Sequence, residues 1–169
     1  MFEARHAYRR HLPHFQKPDR YYFITFVTKG WWVMPPPARD LLMPHILFDH
    51  DRVMSLYVAV VMPDHAHLIL SPYVALGKVT QGIKGASARS INQLVGREGQ
   101  LWLHESFDHE LRQDEGLRKK AEYICMNPVR KGLCNTPDEW PWLWRSWCTT
   151  SSQLVAGVWQ LPRLAWPRT

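Results

Sequence analysis

The sequence predicts an α+β fold in which an antiparallel sheet carries helices packed on one face. The segment YYFITFVT, Tyr21 to Thr28, alternates aromatic and β-branched residues as a strand does. Leu56 to Met62 is an apolar, valine-rich run of strand length, and the turn signal Pro63-Asp64 separates it from a second alternating run. Helical segments flank this strand pair. The order strand, helix, two strands, helix, strand is that of a ferredoxin-like or RRM-like sandwich.

Prolines, glycines and apolar spacing place the other elements. Pro35 to Pro37 should precede the first helix, with Ala38 to Leu47 supplying its apolar positions. The second helix is expected over about Leu76 to Val95, where three glycines weaken it. A short strand is expected around Phe107. These elements complete the ferredoxin-like order.

Length and composition predict a single domain over residues 1–169. With 169 residues and 46% hydrophobic content, the chain can bury a good core but has little room for a second one. Within this domain we predict a basic N-terminal arm, residues 1–18, and a tryptophan- and proline-rich C-terminal strap, residues 137–169. The tryptophans of EWPWLWRSW are interpreted mainly as covering the sheet or a helix, and stacking on unpaired bases is the alternative.

The charge balance favours a polyanionic partner. The chain has 21 Lys and Arg against 15 Asp and Glu, a net charge of +6.

Its 3 cysteines form no C-x-x-C pair and are interpreted as reduced thiols. The N-terminal segment lacks the apolar core of a signal peptide, and no run approaches transmembrane length. We therefore expect a cytoplasmic protein without a membrane partner.

A pair of histidines begins the second strand of the predicted hairpin. In VVMPDHAHLIL, alternation places His65, His67 and Ile69 on one face of that strand. Two imidazoles on one strand face can share a metal ion. A surface pair of histidines without a metal is the alternative that these residues leave open.

The last predicted helix should run from about Glu115 to Met126 or Asn127. Asp114 is a plausible N-cap, and the residue before Pro128 is biased away from helical backbone. Its apolar stripe has spacings of four and three residues, and it consists of Leu117, Ala121 and Ile124.

A tyrosine lies off this apolar stripe. At 100° per residue, Tyr123 shares its face of the helix with Lys120 and Asn127. A tyrosine kept only for core packing would more often lie on the stripe. The pattern therefore favours a chemical role, and a tyrosine half-buried at a helix edge is the alternative.

Together, these motifs resemble the HUH single-tyrosine transposases, and more narrowly the REP-associated tyrosine transposases. The resemblance covers most of the chain and rests on pieces that occur in the family's order: RRHLPHF and YYFITFVTKG, VVMPDHAHLIL, KGASARSINQLVGREG, LWLHESFDHELR and AEYICMNPVRKGL. Relatives commonly have glutamine where this chain has Leu103, a departure that affects the expected substrate preference rather than the reaction. The one tyrosine in the motif helix favours single-tyrosine transposases over two-tyrosine replication initiators.

The resemblance implies both a reaction and a site. His65 and His67 would ligate a divalent metal, Mg²⁺ or Mn²⁺, with Asn127 as a further ligand one helical turn after the tyrosine. Tyr123 would attack a DNA phosphate and hold one cut strand as a 5′-phosphotyrosine. The expected partner is single-stranded or hairpin DNA of the repetitive extragenic palindrome type. Whether the protein acts as a monomer or a homodimer is left open.

Basic residues near these groups are the predicted DNA contacts. Lys84 and Arg89 are included because their helix follows the histidine strand, and Lys119 and Lys120 because they are near Tyr123. Arg130, in the motif that contains the tyrosine, completes the predicted set.

Three functions fit these residues to different degrees. A metal-dependent single-strand DNA endonuclease and strand transferase uses all the chemical groups and is favoured. The first alternative is a DNA-hairpin-binding protein derived from such an enzyme that no longer cuts. The second is a hydrolase that binds Zn²⁺ through the histidine pair, which is the weakest because H-E-x-x-H and nearby cysteine ligands are missing.

Overall fold

The structure, a computed structural model, describes residues 20–111 and 115–147, with only the backbone of Glu115. The predicted arm over residues 1–18, the N-cap Asp114 and the strap beyond residue 147 lie outside the described residues. The strands are β1 Tyr21–Val27, β2 Met54–Val61, β3 His65–Pro72, β4 Phe107–Leu111 and β5 Leu143–Arg145. The helices are α1 Pro36–Phe48, α2 Leu76–Val95, α3 Glu115–Cys125 and α4 Asn127–Arg130.

The strands form a single antiparallel sheet in the order β4-β1-β3-β2-β5. The predicted α+β class is confirmed, and the first four strands have the ferredoxin-like arrangement. The strand β5 was not predicted, because three residues within a run of tryptophans show no useful alternation. It pairs with β2 and closes that side of the sheet.

The helices α1 and α2 pack together on one face of the sheet. A hydrogen bond of 3.0 Å joins His45 Nε2 on α1 to Ser90 Oγ on α2. Trp102 links α2 to the sheet, since its Nε1 donates to Ser87 Oγ and its ring contacts that of Phe26. Phe26 pairs with Ala66, so this face is the one opposite to the histidines.

The helix α3 lies on the other face, which differs from the expectation that all helices share one side. Lys120 Nζ on α3 lies 4.2 Å from the ring centroid of Phe23, and that ring in turn contacts His67. Because α1 and α3 both contact β2, from opposite faces, this strand is covered on both sides. Residues 58–61 are accordingly fully buried, which explains why the sequence of β2 is a continuous apolar run rather than an alternating one.

The helix ends follow local chemistry closely. The predicted bounds of α2 are confirmed, and it ends at Gly96, whose φ of 63° gives the left-handed C-cap that glycine favours. Of the three prolines expected before α1, Pro36 and Pro37 lie in its first turn. Backbone amides in that turn have no hydrogen-bond acceptor within the helix, so a proline, which lacks the amide hydrogen, is tolerated there. At Pro128 the helical course is interrupted rather than ended, since α3 stops at Cys125 and α4 begins at Asn127.

The segment after α4 is fastened to the core by two tryptophans. Trp140 Nε1 donates to Val61 O at 3.0 Å, and Trp142 Nε1 donates to Asp40 Oδ1 at 2.8 Å. The Arg39 guanidinium lies 3.9 Å from the Trp142 ring centroid. These contacts support the structural interpretation of both tryptophans.

Within residues 20–111 and 115–147, no helix is long and apolar enough to cross a membrane.

Candidate active site

The β2–β3 turn fixes the position of the histidine pair. Met62 N donates to His65 O at 2.8 Å across the turn. The amide and the hydroxyl of Thr28, which is fully buried, both donate to Asp64 O, at 2.9 and 3.0 Å. Since the turn is held from the end of β1, the first residues of β3 have a defined register. His65 and His67 therefore lie beside Val27 and Thr25 on one face of the sheet.

The two imidazoles are neighbours, and each has a partner for one ring nitrogen. Their ring centroids are 4.6 Å apart with an interplanar angle of 68°. His65 Nδ1 lies 2.5 Å from Asp64 Oδ1, and His67 Nδ1 lies 2.8 Å from Thr25 Oγ1. Such partners fix the orientation of a metal-binding histidine and leave Nε2 for the ligand. The pair is therefore arranged as two nitrogen donors.

The protonation state of His67 suits this role. Burial lowers the pKa of His67 to about 3, and the neighbouring charges of His65 and Lys120 lower it in the same direction. At neutral pH the ring is therefore uncharged, so it has a lone pair available for a cation.

A divalent ion fits these residues if oxygen ligands complete its coordination. Residues 20–111 and 115–147 contain no group of three or more His, Cys, Asp or Glu that could hold a metal ion. Asn127 is only 6% exposed, so this residue is buried in the fold. A carboxamide oxygen suits Mg²⁺ or Mn²⁺, and Asn127 is the oxygen ligand that the sequence predicts. The predicted donors are thus two imidazoles and one amide oxygen, and among the described residues no group of three or more His, Cys, Asp or Glu, as catalytic zinc typically uses, could hold a metal ion.

Tyr123 is presented on the outer side of α3. Ala121 and Ile124 of the apolar stripe are buried, whereas Tyr123 is 43% exposed. Two cations flank its ring, with Lys120 Nζ 5.2 Å and Arg130 Cζ 4.6 Å from the ring centroid. The phenol is thus accessible in a positively charged setting, which favours an approaching phosphate.

Phe23 connects the tyrosine side of the site with the histidine side. Its ring centroid lies 4.2 Å from Lys120 Nζ and 5.3 Å from the His67 ring centroid. Sequence reasoning missed Phe23 and the two hydrogen-bond partners, Thr25 and Asp64. Alternation in YYFITFVT does place Phe23 and Thr25 on one strand face, but only the pairing of β1 with β3 shows that they lie beside the histidines.

Comparisons with known proteins bear on the fold and on the sequence resemblance. No family model matches the chain. A Haemophilus influenzae protein named as a REP-associated tyrosine transposase is 26% identical over 94 residues, which cover 48% of this chain and 53% of that protein. The chain therefore spans about half the length of this curated relative.

Two solved structures are also similar. The structure of a REP-associated tyrosine transposase bound to a REP hairpin matches with a TM-score of 0.63 and 21% identity, covering 82% of each chain. The predicted resemblance to REP-associated tyrosine transposases is confirmed. A transposase-like protein of Deinococcus radiodurans has a TM-score of 0.43 and 20% identity, with coverage of 79% of this chain and 98% of that one.

Within this transposase-like fold, the predicted DNA contacts fall into two groups. Lys120 and Arg130 flank Tyr123, and Lys119 is exposed on the same helix. Arg89 instead lines a groove of about 400 Å³ between α1 and α2, together with His45 and Asp49. That groove lies on the face of the sheet away from the histidines.

The structure gives Lys84 a different task from the predicted one. Its ammonium donates to Leu103 O at 2.7 Å, His104 O at 2.9 Å and Ser106 Oγ at 3.1 Å, and burial lowers the pKa of the amine. These bonds occupy all three donors and brace the loop that leads into β4. They argue against a phosphate contact, because binding a phosphate would require giving some of them up.

The bond from Thr25 to His67 can be tested with a substitution of nearly the same shape. We expect Thr25→Val to weaken Mn²⁺ binding about tenfold, because His67 loses the partner that fixes its orientation. The thermal unfolding midpoint should change little. Calorimetric Mn²⁺ titration measures the effect, with Thr136→Val at an exposed position as the matched control. Unchanged Mn²⁺ affinity in Thr25→Val would remove Thr25 from the site.

Proposed function

We propose that the protein is a metal-dependent single-strand DNA endonuclease and strand transferase that acts on hairpin DNA through a 5′-phosphotyrosine intermediate. The observation that carries this proposal is the meeting of three features on one face of the sheet. These are the accessible phenol of Tyr123, the oriented histidine pair, and the cation Lys120 between them. A phosphoryl transfer needs a nucleophile, charge neutralisation and alignment, and these groups supply all three.

Tyr123 suits a reaction that must run in both directions. Its Oη would lose the phenolic proton, attack the scissile phosphorus and form a 5′-phosphotyrosine. The bond to the leaving 3′-oxygen breaks at the same time, and that oxygen takes up a proton, so no proton is gained or lost overall. A phenol has a pKa near 10 and is a better leaving group than an alcohol. A 3′-hydroxyl can therefore attack the phosphotyrosine later, release Tyr123 and join the strand without ATP.

The remaining groups of the site would position the phosphate and neutralise its charge. Lys120 and Arg130 flank the Tyr123 ring, so a phosphate approaching the phenol meets two cations. Asp64 and Thr25 hold the imidazoles in place. A divalent ion held by His65, His67 and Asn127 would supply Lewis-acid stabilisation of the developing charge.

An exposed phenylalanine on the same face supports an unpaired substrate strand. Phe107 of β4 pairs with Thr25 and contacts the Phe23 ring, yet it is 62% exposed. Aromatic rings in such positions stack on unpaired bases, each worth about 1–3 kcal/mol. The hairpin substrate is supported by the similar fold of the transposase bound to a REP hairpin.

The proposal is tested with end-labelled hairpin DNA that carries a single-stranded 5′ foot. On a denaturing gel we expect a protein-linked DNA band in Mn²⁺ and none in EDTA, with peptide mass mapping that places the adduct on Tyr123. Cleaved DNA without protein-linked phosphate would favour the hydrolase alternative. Tight binding without cleavage across a varied hairpin library would favour the non-cutting DNA-binding alternative.

A further inference from the structure

We propose that Lys120 couples metal binding to DNA binding, because its ammonium opposes a divalent ion at the histidine pair until a DNA phosphate neutralises it. The inference rests on the proposed function, since it concerns the same site. It adds a property that this function does not require, namely that the free protein binds the ion weakly and that DNA strengthens this binding.

The position of Lys120 is the first support. Its Nζ lies 4.2 Å from the Phe23 ring centroid and 5.2 Å from that of Tyr123, so the ammonium is held between the two rings. The Phe23 ring also contacts the ring of His67. Aromatic faces attract a cation but do not cancel its charge. No carboxylate among the described residues pairs with Lys120, so the charge remains available to its surroundings.

The electrostatic consequence follows from the charges involved. A divalent ion at the imidazoles and the ammonium of Lys120 would repel each other, because the Phe23 ring contacts both the ammonium and the His67 ring. With the Phe23 ring lying between them, the separation is on the order of 8 Å, and a unit and a double positive charge at that distance weaken ion binding about fivefold even with the dielectric constant of water. A negative charge between them would relieve it.

A DNA phosphate is the group that can supply this negative charge. Lys120 and Arg130 both flank the ring of Tyr123, so the phosphate that the phenol attacks would lie against them. A phosphate pairs with such cations through charge-assisted hydrogen bonds. Because coupling between two ligands is reciprocal, the ion must strengthen DNA binding by the same factor by which DNA strengthens ion binding. The site would then hold its ion about fivefold more tightly when DNA is bound.

Mn²⁺ titrations in a Tyr123→Phe background test this coupling, because this background keeps the aromatic ring and prevents cleavage. The affinity for Mn²⁺ is measured by calorimetry for the protein alone and for the protein saturated with hairpin DNA, after subtraction of a DNA-only titration. In this parent we expect DNA to tighten Mn²⁺ binding about fivefold or more. Adding Lys120→Met should tighten Mn²⁺ binding of the free protein about fivefold and reduce the effect of DNA to less than about twofold.

Two further variants serve as controls. Lys120→Arg keeps the charge and should behave like the parent, which separates an effect of charge from one of packing. Lys131→Met removes the same charge at an exposed position after α4 and should leave the coupling unchanged.

The outcomes separate this inference from the proposed function. The coupling would be overturned if the free Lys120→Met protein bound Mn²⁺ no more tightly than the free parent, or if neither bound it. It would also be overturned if DNA strengthened Mn²⁺ binding as much in Lys120→Met as in the parent. If the wild-type protein forms the protein–DNA adduct but no coupling is found, only this inference is contradicted. If coupling is found but no adduct forms, only the proposed strand transfer is contradicted.

Discussion

Replacing Tyr123 with phenylalanine is expected to abolish the covalent protein–DNA adduct and to lower strand cleavage at least about a thousandfold. The substitution removes only the phenolic oxygen, so the nucleophile is lost while the ring stays between Lys120 and Arg130. Tyr123 lies off the buried stripe of α3, and the fold should therefore be unaffected. Affinity for hairpin DNA should change less than about twofold, because the cations that attract phosphate remain.

The measurement is a denaturing gel for the adduct together with a binding titration on the same hairpin. Tyr73→Phe is the matched control, since Tyr73 is 59% exposed just after β3 and should retain full cleavage. An adduct that persists in Tyr123→Phe at the wild-type level would mean that another residue is the nucleophile, and the proposed mechanism would fail.

Replacing His67 with glutamine is the change with the next largest expected effect. We expect Mn²⁺ binding and strand cleavage each to fall at least about a hundredfold, because the site loses one of its two imidazole donors. Glutamine has a similar volume and can still bond to Thr25, so the packing beside Phe23 should be preserved.

Calorimetric Mn²⁺ titration and the cleavage assay, run side by side, measure this effect. His104→Gln is the control, because His104 is exposed in the loop before β4 and away from the histidine pair in sequence. If His67→Gln retained its Mn²⁺ affinity, the histidine pair would not be the metal site. The alternative stated above, a surface pair of histidines that binds no metal, would then hold.

Much of the fold could be predicted from the sequence, because helix ends and turns depend on residues that are close together in the chain. The glycine at position 96 ends α2 where the sequence places the end, and Pro63-Asp64 marks the turn between β2 and β3. The short strand β5 could not be predicted, because it forms through long-range pairing with β2. For the same reason, the placement of α3 on the face opposite to α1 and α2 was not foreseen.

The sequence by itself determined that His65 and His67 share one strand face and that Tyr123 lies off the apolar stripe of its helix. Both follow from the period of a single element, 2 residues in a strand and about 3.6 in a helix. Only the tertiary structure decided what lies beside these groups. It put Thr25 next to His67, and it bonded Lys84 to the loop before β4. Strand register and helix placement depend on contacts between residues far apart in the chain, which no local period encodes.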